Sequence, residues 1–109
     1  MAKLPKFPGK LSLKQQASIV RISGSGNYSL IYLQDGQSIL FSYSMKCYED
    51  FLPNFIRTHK QHMVNPAFVT SVRQLGPKEV YLVMLPQKDV IPIARRRINE
   101  VLRVLINNR

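Results

Sequence analysis

Residues 28–43 read YSLIYLQDGQSILFSY, and no other stretch of the chain restricts its fold so tightly. From Tyr28 to Gln34 the side chains alternate, with Ser29, Ile31 and Leu33 on one face and Tyr28, Leu30 and Tyr32 on the other. That is the period of a strand. Asp35-Gly36 follows, and both positions tolerate positive φ, so the pair predicts a two-residue hairpin with Gln37–Tyr43 returning. The prediction here is antiparallel β.

The flanking segments extend that reading. Ser18–Ser23 is compact and β-branched, and Gly24-Ser25-Gly26-Asn27 breaks it. Ser44 is placed to cap a short helix over Met45–Leu52, stopped by Pro53. Phe55–Arg57 reads as a strand, Thr58-His59 as a corner and Gln61–Val64 as another strand, with a turn at Asn65-Pro66. Val69–Leu75 and Val80–Leu85 form a hairpin across Gly76-Pro77-Lys78. After a connection over Pro86–Asp89, Val90–Ile93 is an edge strand, because Pro92 cannot donate to a ladder. Ala94–Asn107 has no breaker and carries an apolar stripe of Ile98, Val101, Leu102 and Leu105, so it is predicted to be a helix. Residues 1–16 have the texture of an arm, with Pro5, Pro8 and Gly9 among Lys3, Lys6, Lys10 and Lys14 and a short strand at Lys10–Leu13. The expected organisation is a flexible basic arm over 1–9 and one β-rich domain over 10–109, with a short central helix and a C-terminal helix.

Charge narrows the partners. Sixteen lysine and arginine residues against six acids give a formal +10 and a pI near 10.2. Such a surface attracts polyanions, of which nucleic acid is the commonest in a cytosol, with an anionic membrane surface as rival. No apolar run is long and charge-free enough to span a membrane, and no signal peptide is evident. Cys47 is the single cysteine, which excludes an internal disulfide and makes a reducing cytoplasm the default location.

Catalytic and metal chemistry find little support. His59 and His62 are three apart, and on one strand such residues face opposite ways. No carboxylate lies near them in sequence, so neither a metal nor another cofactor is expected. No Ser-His-Asp spacing exists, six acids leave few candidates for paired carboxylates, and no helix follows Gly24-Ser25-Gly26 to receive a phosphate. The chain is therefore read as a non-enzyme with no small-molecule substrate. A helix-turn-helix is excluded as well, because only the last helix is long enough and its stripe is committed to packing.

Binding of nucleic acid explains more residues. Basic and amide side chains gather at the predicted breaks, Ser25–Asn27, His59-Lys60 and Arg95-Arg96-Arg97. Arginine can pair two donors with a guanine edge, asparagine can pair with adenine, and lysine suits phosphate. Three arginines at a helix start oppose the macrodipole, which favours anions there, and so point to a negative partner. An RNA-binding β module stacking bases on Tyr28, Tyr32 or Tyr43 is the alternative, and a basic surface for a protein or membrane partner is a weaker one.

Three segments taken together resemble the LytTR DNA-binding domain of bacterial response regulators: IVRISGSGNYSLIYLQDG, LPNFIRTHKQHMVNPAFV, and IPIARRR before a terminal helix. The resemblance covers about residues 10–107. It implies an elongated, mostly antiparallel β domain of several small sheets that binds promoter duplex DNA as a transcription regulator. Loops, rather than a recognition helix, would enter two successive major grooves and the minor groove between them. Carried over by position, the base contacts are Asn27, Lys60 and Arg95, with Arg95 the leading candidate and Asn27 next. Ser25, Tyr28, Arg57, His59, Arg96 and Arg97 fall to the DNA backbone, which the charge of Lys60 also suits. His62 receives no role. Paired direct repeats and a homodimer on DNA are further implications. Two departures stand out: Ala94 replaces the family's usual serine, and Gln61 replaces a small serine after His59-Lys60. No receiver domain precedes the DNA-binding segment, so the chain reads as a stand-alone regulator or as a domain from a longer one.

Overall fold

A computed structural model describes residues 6–107. Lys3 and Pro5 of the expected arm lie outside the described residues. The elements run α1 (Leu13–Ala17), β1 (Ile19–Ser25), β2 (Tyr28–Leu33), β3 (Ser38–Phe41), α2 (Lys46–Glu49), β4 (Ile56–His59) and β5 (His62–Val64). There follow a 3-10 turn at Pro66–Phe68, β6 (Val69–Gly76), β7 (Glu79–Met84), β8 (Asp89–Pro92), a second 3-10 turn at Arg95–Arg97 and α3 (Ile98–Asn107). Five strands form one antiparallel sheet in the order β3-β2-β1-β5-β4, and three form another in the order β6-β7-β8. The body is elongated, 49 × 29 × 28 Å.

Two cores share the larger sheet. On one face, Ile19, Ile22, Ile31, Leu33 and Met63 pack with Met45 and Tyr48, and partly buried Phe7, Leu11 and Phe41 close the edge. Phe7 falls within the stretch expected as a flexible arm, yet its ring lies 5.4 Å from that of Tyr48. On the other face, Val20, Ile56 and Val64 meet Val80, Leu82, Met84 and Ile91 of the smaller sheet and Ile98, Val101 and Leu105 of α3. A register shift between Ile19 and Arg21 turns Val20 into the second core while Ile19 and Ile22 stay in the first. Burying each such aliphatic chain contributes roughly 1.5–3 kcal/mol. The two sheets are also joined by an ion pair, Arg21 to Asp89 at 3.3 Å, with the Arg21 guanidinium 3.5 Å above the Tyr32 ring.

Asn65 fastens the junction between the sheets. Its side-chain oxygen accepts from the Ala67 amide at 3.0 Å, capping the first 3-10 turn, and its amide nitrogen donates to the Ile19 carbonyl at 3.0 Å. Its backbone N–H donates to the Val20 carbonyl at 2.9 Å.

Several sequence expectations need correction. The β2–β3 connection has three residues rather than two: Gly36 N–H donates to the Leu33 carbonyl, Leu33 N–H donates to Gln37, and Gly36 takes φ 93°. That is the type I turn followed by a left-handed glycine that three-residue hairpins favour. Lys10–Leu13 is not a strand, and Leu13–Ala17 is helical. Ser12 and Gln15 form a reciprocal capping box that starts α1. α2 is shorter than Met45–Leu52, although turn bonds continue to Leu52, and the Ser44 hydroxyl meets Cys47 Sγ at 3.5 Å instead of capping the backbone. The corner lies at Lys60-Gln61, two residues beyond Thr58-His59, since His59 pairs with His62 across it. The three arginines form a 3-10 turn ahead of α3, because Ala94 offers no side-chain cap and Arg97 N–H bonds the Ala94 carbonyl at 2.8 Å.

Candidate nucleic-acid interface

β1 and β4 run parallel to each other on either side of β5, so the turns that follow them emerge at the same end of the five-stranded sheet. The first tip is Gly26-Asn27, closed by the Ser25–Tyr28 pair, with Gly26 at φ 59° in the first turn position. A two-residue hairpin of this hand requires a glycine there. Ser25, Asn27 and Tyr28 are exposed. The second tip is Lys60-Gln61, also exposed, and the Gly24 amide donates to the Gln61 carbonyl at 2.9 Å.

β8 delivers the third group. Ile93 N–H donates to Val80 and Ala94 N–H donates to Thr58 at 2.8 Å, so Arg95 begins immediately beside the end of β4. Arg95 and Arg96 are exposed and line an open groove with His59 and Lys78. Arg97 turns away. It is partly buried, lines the cleft between β4 and α3, and its Nε is buried without a partner. Of the nine residues expected to meet DNA, the fold therefore brings Ser25, Asn27, Tyr28, His59, Lys60, Arg95 and Arg96 to one end, and separates Arg97 from them.

Arg57 is placed behind the second tip. Its Nε donates to the His59 carbonyl at 3.0 Å, Nη2 donates to the Lys60 carbonyl at 2.6 Å, and Nη1 is paired with Glu49 of α2. His59 also serves the turn, its Nδ1 accepting from the Gln61 amide at 3.1 Å. With Nδ1 accepting, the ring N–H donor is Nε2.

The two histidines do not face opposite ways. They sit opposite each other across the β4–β5 hairpin, ring centroids 5.6 Å apart, because the single-strand rule fails once a turn separates two residues. Burial, then the neighbouring His59 and Arg21, push the pKa of His62 down to about 4. Among the described residues no group of three or more His, Cys, Asp or Glu gathers as metal ligands would.

Lys78 is the residue that sequence reasoning passes over. In the sequence it belongs only to a turn, and nothing local links it to Arg95; the antiparallel pairing of β7 with both β6 and β8 carries it there. The acids do not share one end, and Glu49 is paired with Arg57 behind the second tip. Asp35 and Asp89 sit near the opposite end, where Gly36 approaches Gln87. Glu79, the acid beside the groove, accepts from the Tyr81 hydroxyl at 3.0 Å, which raises the pKa of that hydroxyl. The exposed cations Lys60, Lys78, Arg95 and Arg96 outnumber the acids Glu49 and Glu79 at this end, which favours an anionic partner there.

One of the three stacking platforms of the RNA reading is taken. Arg21 covers the Tyr32 ring, while Tyr28, 54% exposed, and Tyr43, 43% exposed and edge-on to Tyr48 at 6.4 Å, remain open.

Comparison with known proteins agrees with this architecture. The family model for the LytTr DNA-binding domain matches residues 10–106. Among solved structures, the LytTr DNA-binding domain of a Bacillus cereus protein described as a methyl-accepting/DNA response regulator superposes with a TM-score of 0.72. Identity is 15%, and the match covers 82% of each chain. No curated protein matches.

Proposed function

The chain belongs to the LytTR DNA-binding domain family, and from that premise we propose that it binds specific duplex sites in promoters as a bacterial transcription regulator. The observation that carries this reading is the convergence of Asn27, Lys60 and Arg95-Arg96 at one end of a β scaffold, with Lys78 beside them. The chain acts by binding rather than by catalysis. Asn27 and Arg95 read base edges in successive major grooves, and Lys60 enters the minor groove between them. Ser25, Tyr28, His59, Arg96 and Lys78 hold the backbone, fixing register without reading sequence. His59, its Nδ1 taken by the Gln61 amide, donates through Nε2 to a phosphate oxygen. Two copies on paired direct repeats, in the cytoplasm, complete the proposal.

Selection of bound duplexes from a random DNA library tests it directly. The expected result is an enriched motif, with repeat spacing if two copies bind together. Preference for single-stranded RNA at matched salt, or absence of any enriched duplex, overturns it.

A further inference from the structure

We propose that Arg57 is a positioning residue that holds the Lys60 turn in shape for DNA, with Glu49 on α2 fixing its guanidinium. The inference rests on the DNA-binding reading and assigns Arg57 a different task from the phosphate contact expected from sequence. The geometry is specific to arginine. Two donors of one planar group take the consecutive carbonyls of His59 and Lys60, at 3.0 and 2.6 Å, while a third meets the Glu49 carboxylate. A rigid fork can satisfy all three, whereas an ammonium on a flexible stem cannot hold that arrangement. The rest of the turn is pinned from other directions, by His59 Nδ1 on the Gln61 amide and by the Gly24 amide on the Gln61 carbonyl. With its backbone fixed, Lys60 extends from a preformed loop and loses less freedom on binding.

Glu49 supplies the second argument. It is an acid held close behind a surface that must attract phosphate, well inside the roughly 8 Å screening length of physiological salt. By charge alone its removal strengthens DNA binding. Its use in orienting Arg57 predicts the opposite sign.

The test measures duplex affinity, on a site selected from random DNA, for wild type, Glu49→Gln, Arg57→Lys and Arg57→Gln. Melting temperature and amide hydrogen exchange of the free proteins are measured beside it. Glu49→Gln is expected to weaken binding about 2- to 10-fold despite the added net positive charge, the scale set by ordering one or two long side chains. Arg57→Lys is expected to fall nearly as far as Arg57→Gln, and both losses shrink in a Lys60→Gln background. Exchange at the Gln61 and Gly24 amides rises in Glu49→Gln while its melting temperature holds. Tighter binding by Glu49→Gln, or wild-type affinity in Arg57→Lys, overturns the proposal and leaves the DNA reading intact. Should the arginine variants fail to fold, Glu49→Gln, with its side chain 42% exposed, decides alone. A wild-type chain that binds no duplex overturns both.

Discussion

The Gly24 amide donates to the Gln61 carbonyl at 2.9 Å, and this bond sets the Asn27 hairpin tip beside the Lys60 tip. The two residues are 37 positions apart in sequence. Their contact continues the β1–β5 ladder, in which Ser23 pairs with His62. Spacing between the two hairpin tips is thus set by backbone hydrogen bonds, which side-chain substitution at the tips leaves in place.

That separation of scaffold from tip makes the base contacts testable one at a time. Arg95→Ala is expected to cost roughly 1–3 kcal/mol on a selected site and to relax discrimination at one base position. Asn27→Ala should do the same at a different position in the other major groove. Binding titrations on single-base variants of the site decide; equal loss on selected and random DNA reduces either residue to a backbone contact.

Backbone contacts have another signature. Lys60→Gln and Lys78→Gln are each expected to lower the slope of log affinity against log salt by about one unit. Lys14 is the control cation: it lies exposed on α1 beside Asp35, away from the groove, and Lys14→Gln should leave the slope nearly unchanged. A Lys78 variant with wild-type slope removes that residue from the interface.

Asn65 should matter for stability rather than recognition. Asn65→Ala deletes the cap on Ala67 and the bond to the Ile19 carbonyl, leaving a partly buried acceptor bare. The expected loss is about 1–3 kcal/mol in denaturant unfolding. The salt slope of DNA binding should not move, since no phosphate contact is removed.

His62 gives the fold a pH dependence. Its folded pKa, about 4, lies below the ordinary 6.5, so the unfolded chain binds the extra proton first. Stability from this group is complete above pH 6.5 and is lost as pH falls toward 4. By pH 5 the loss is on the order of 1 kcal/mol, a figure reduced for the screening that reaches a partly exposed ring. Melting curves of wild type and His62→Gln should diverge in slope across that window. Parallel curves place the pH sensitivity elsewhere.

Much of this was legible in the residues. Alternation over Tyr28–Leu33 announced a half-buried strand, and Ser29, Ile31 and Leu33 are indeed its buried face. Pro92 marked an edge strand, and β8 is one. Basic breaks at Asn27, Lys60 and Arg95 were visible because local composition carries them. Turn details were less legible: the helix at Leu13–Ala17 and the 3-10 turn at Arg95–Arg97 depend on whether one capping side chain finds its amide.

By itself the sequence determined the periodicity, the positions of the breaks and the sign of the charge, since each is a property of neighbouring residues. Only the tertiary structure decided which breaks meet. Strand order β3-β2-β1-β5-β4 joins the Asn27 and Lys60 tips, and β6-β7-β8 pairing adds Lys78 to Arg95. It also engaged Arg57 with the His59 and Lys60 carbonyls and Glu49 and set Arg97 in the cleft beside α3, because a guanidinium goes where carbonyls, carboxylates and space are found. Those partners lie on strands and helices distant in the chain, and no local pattern encodes them.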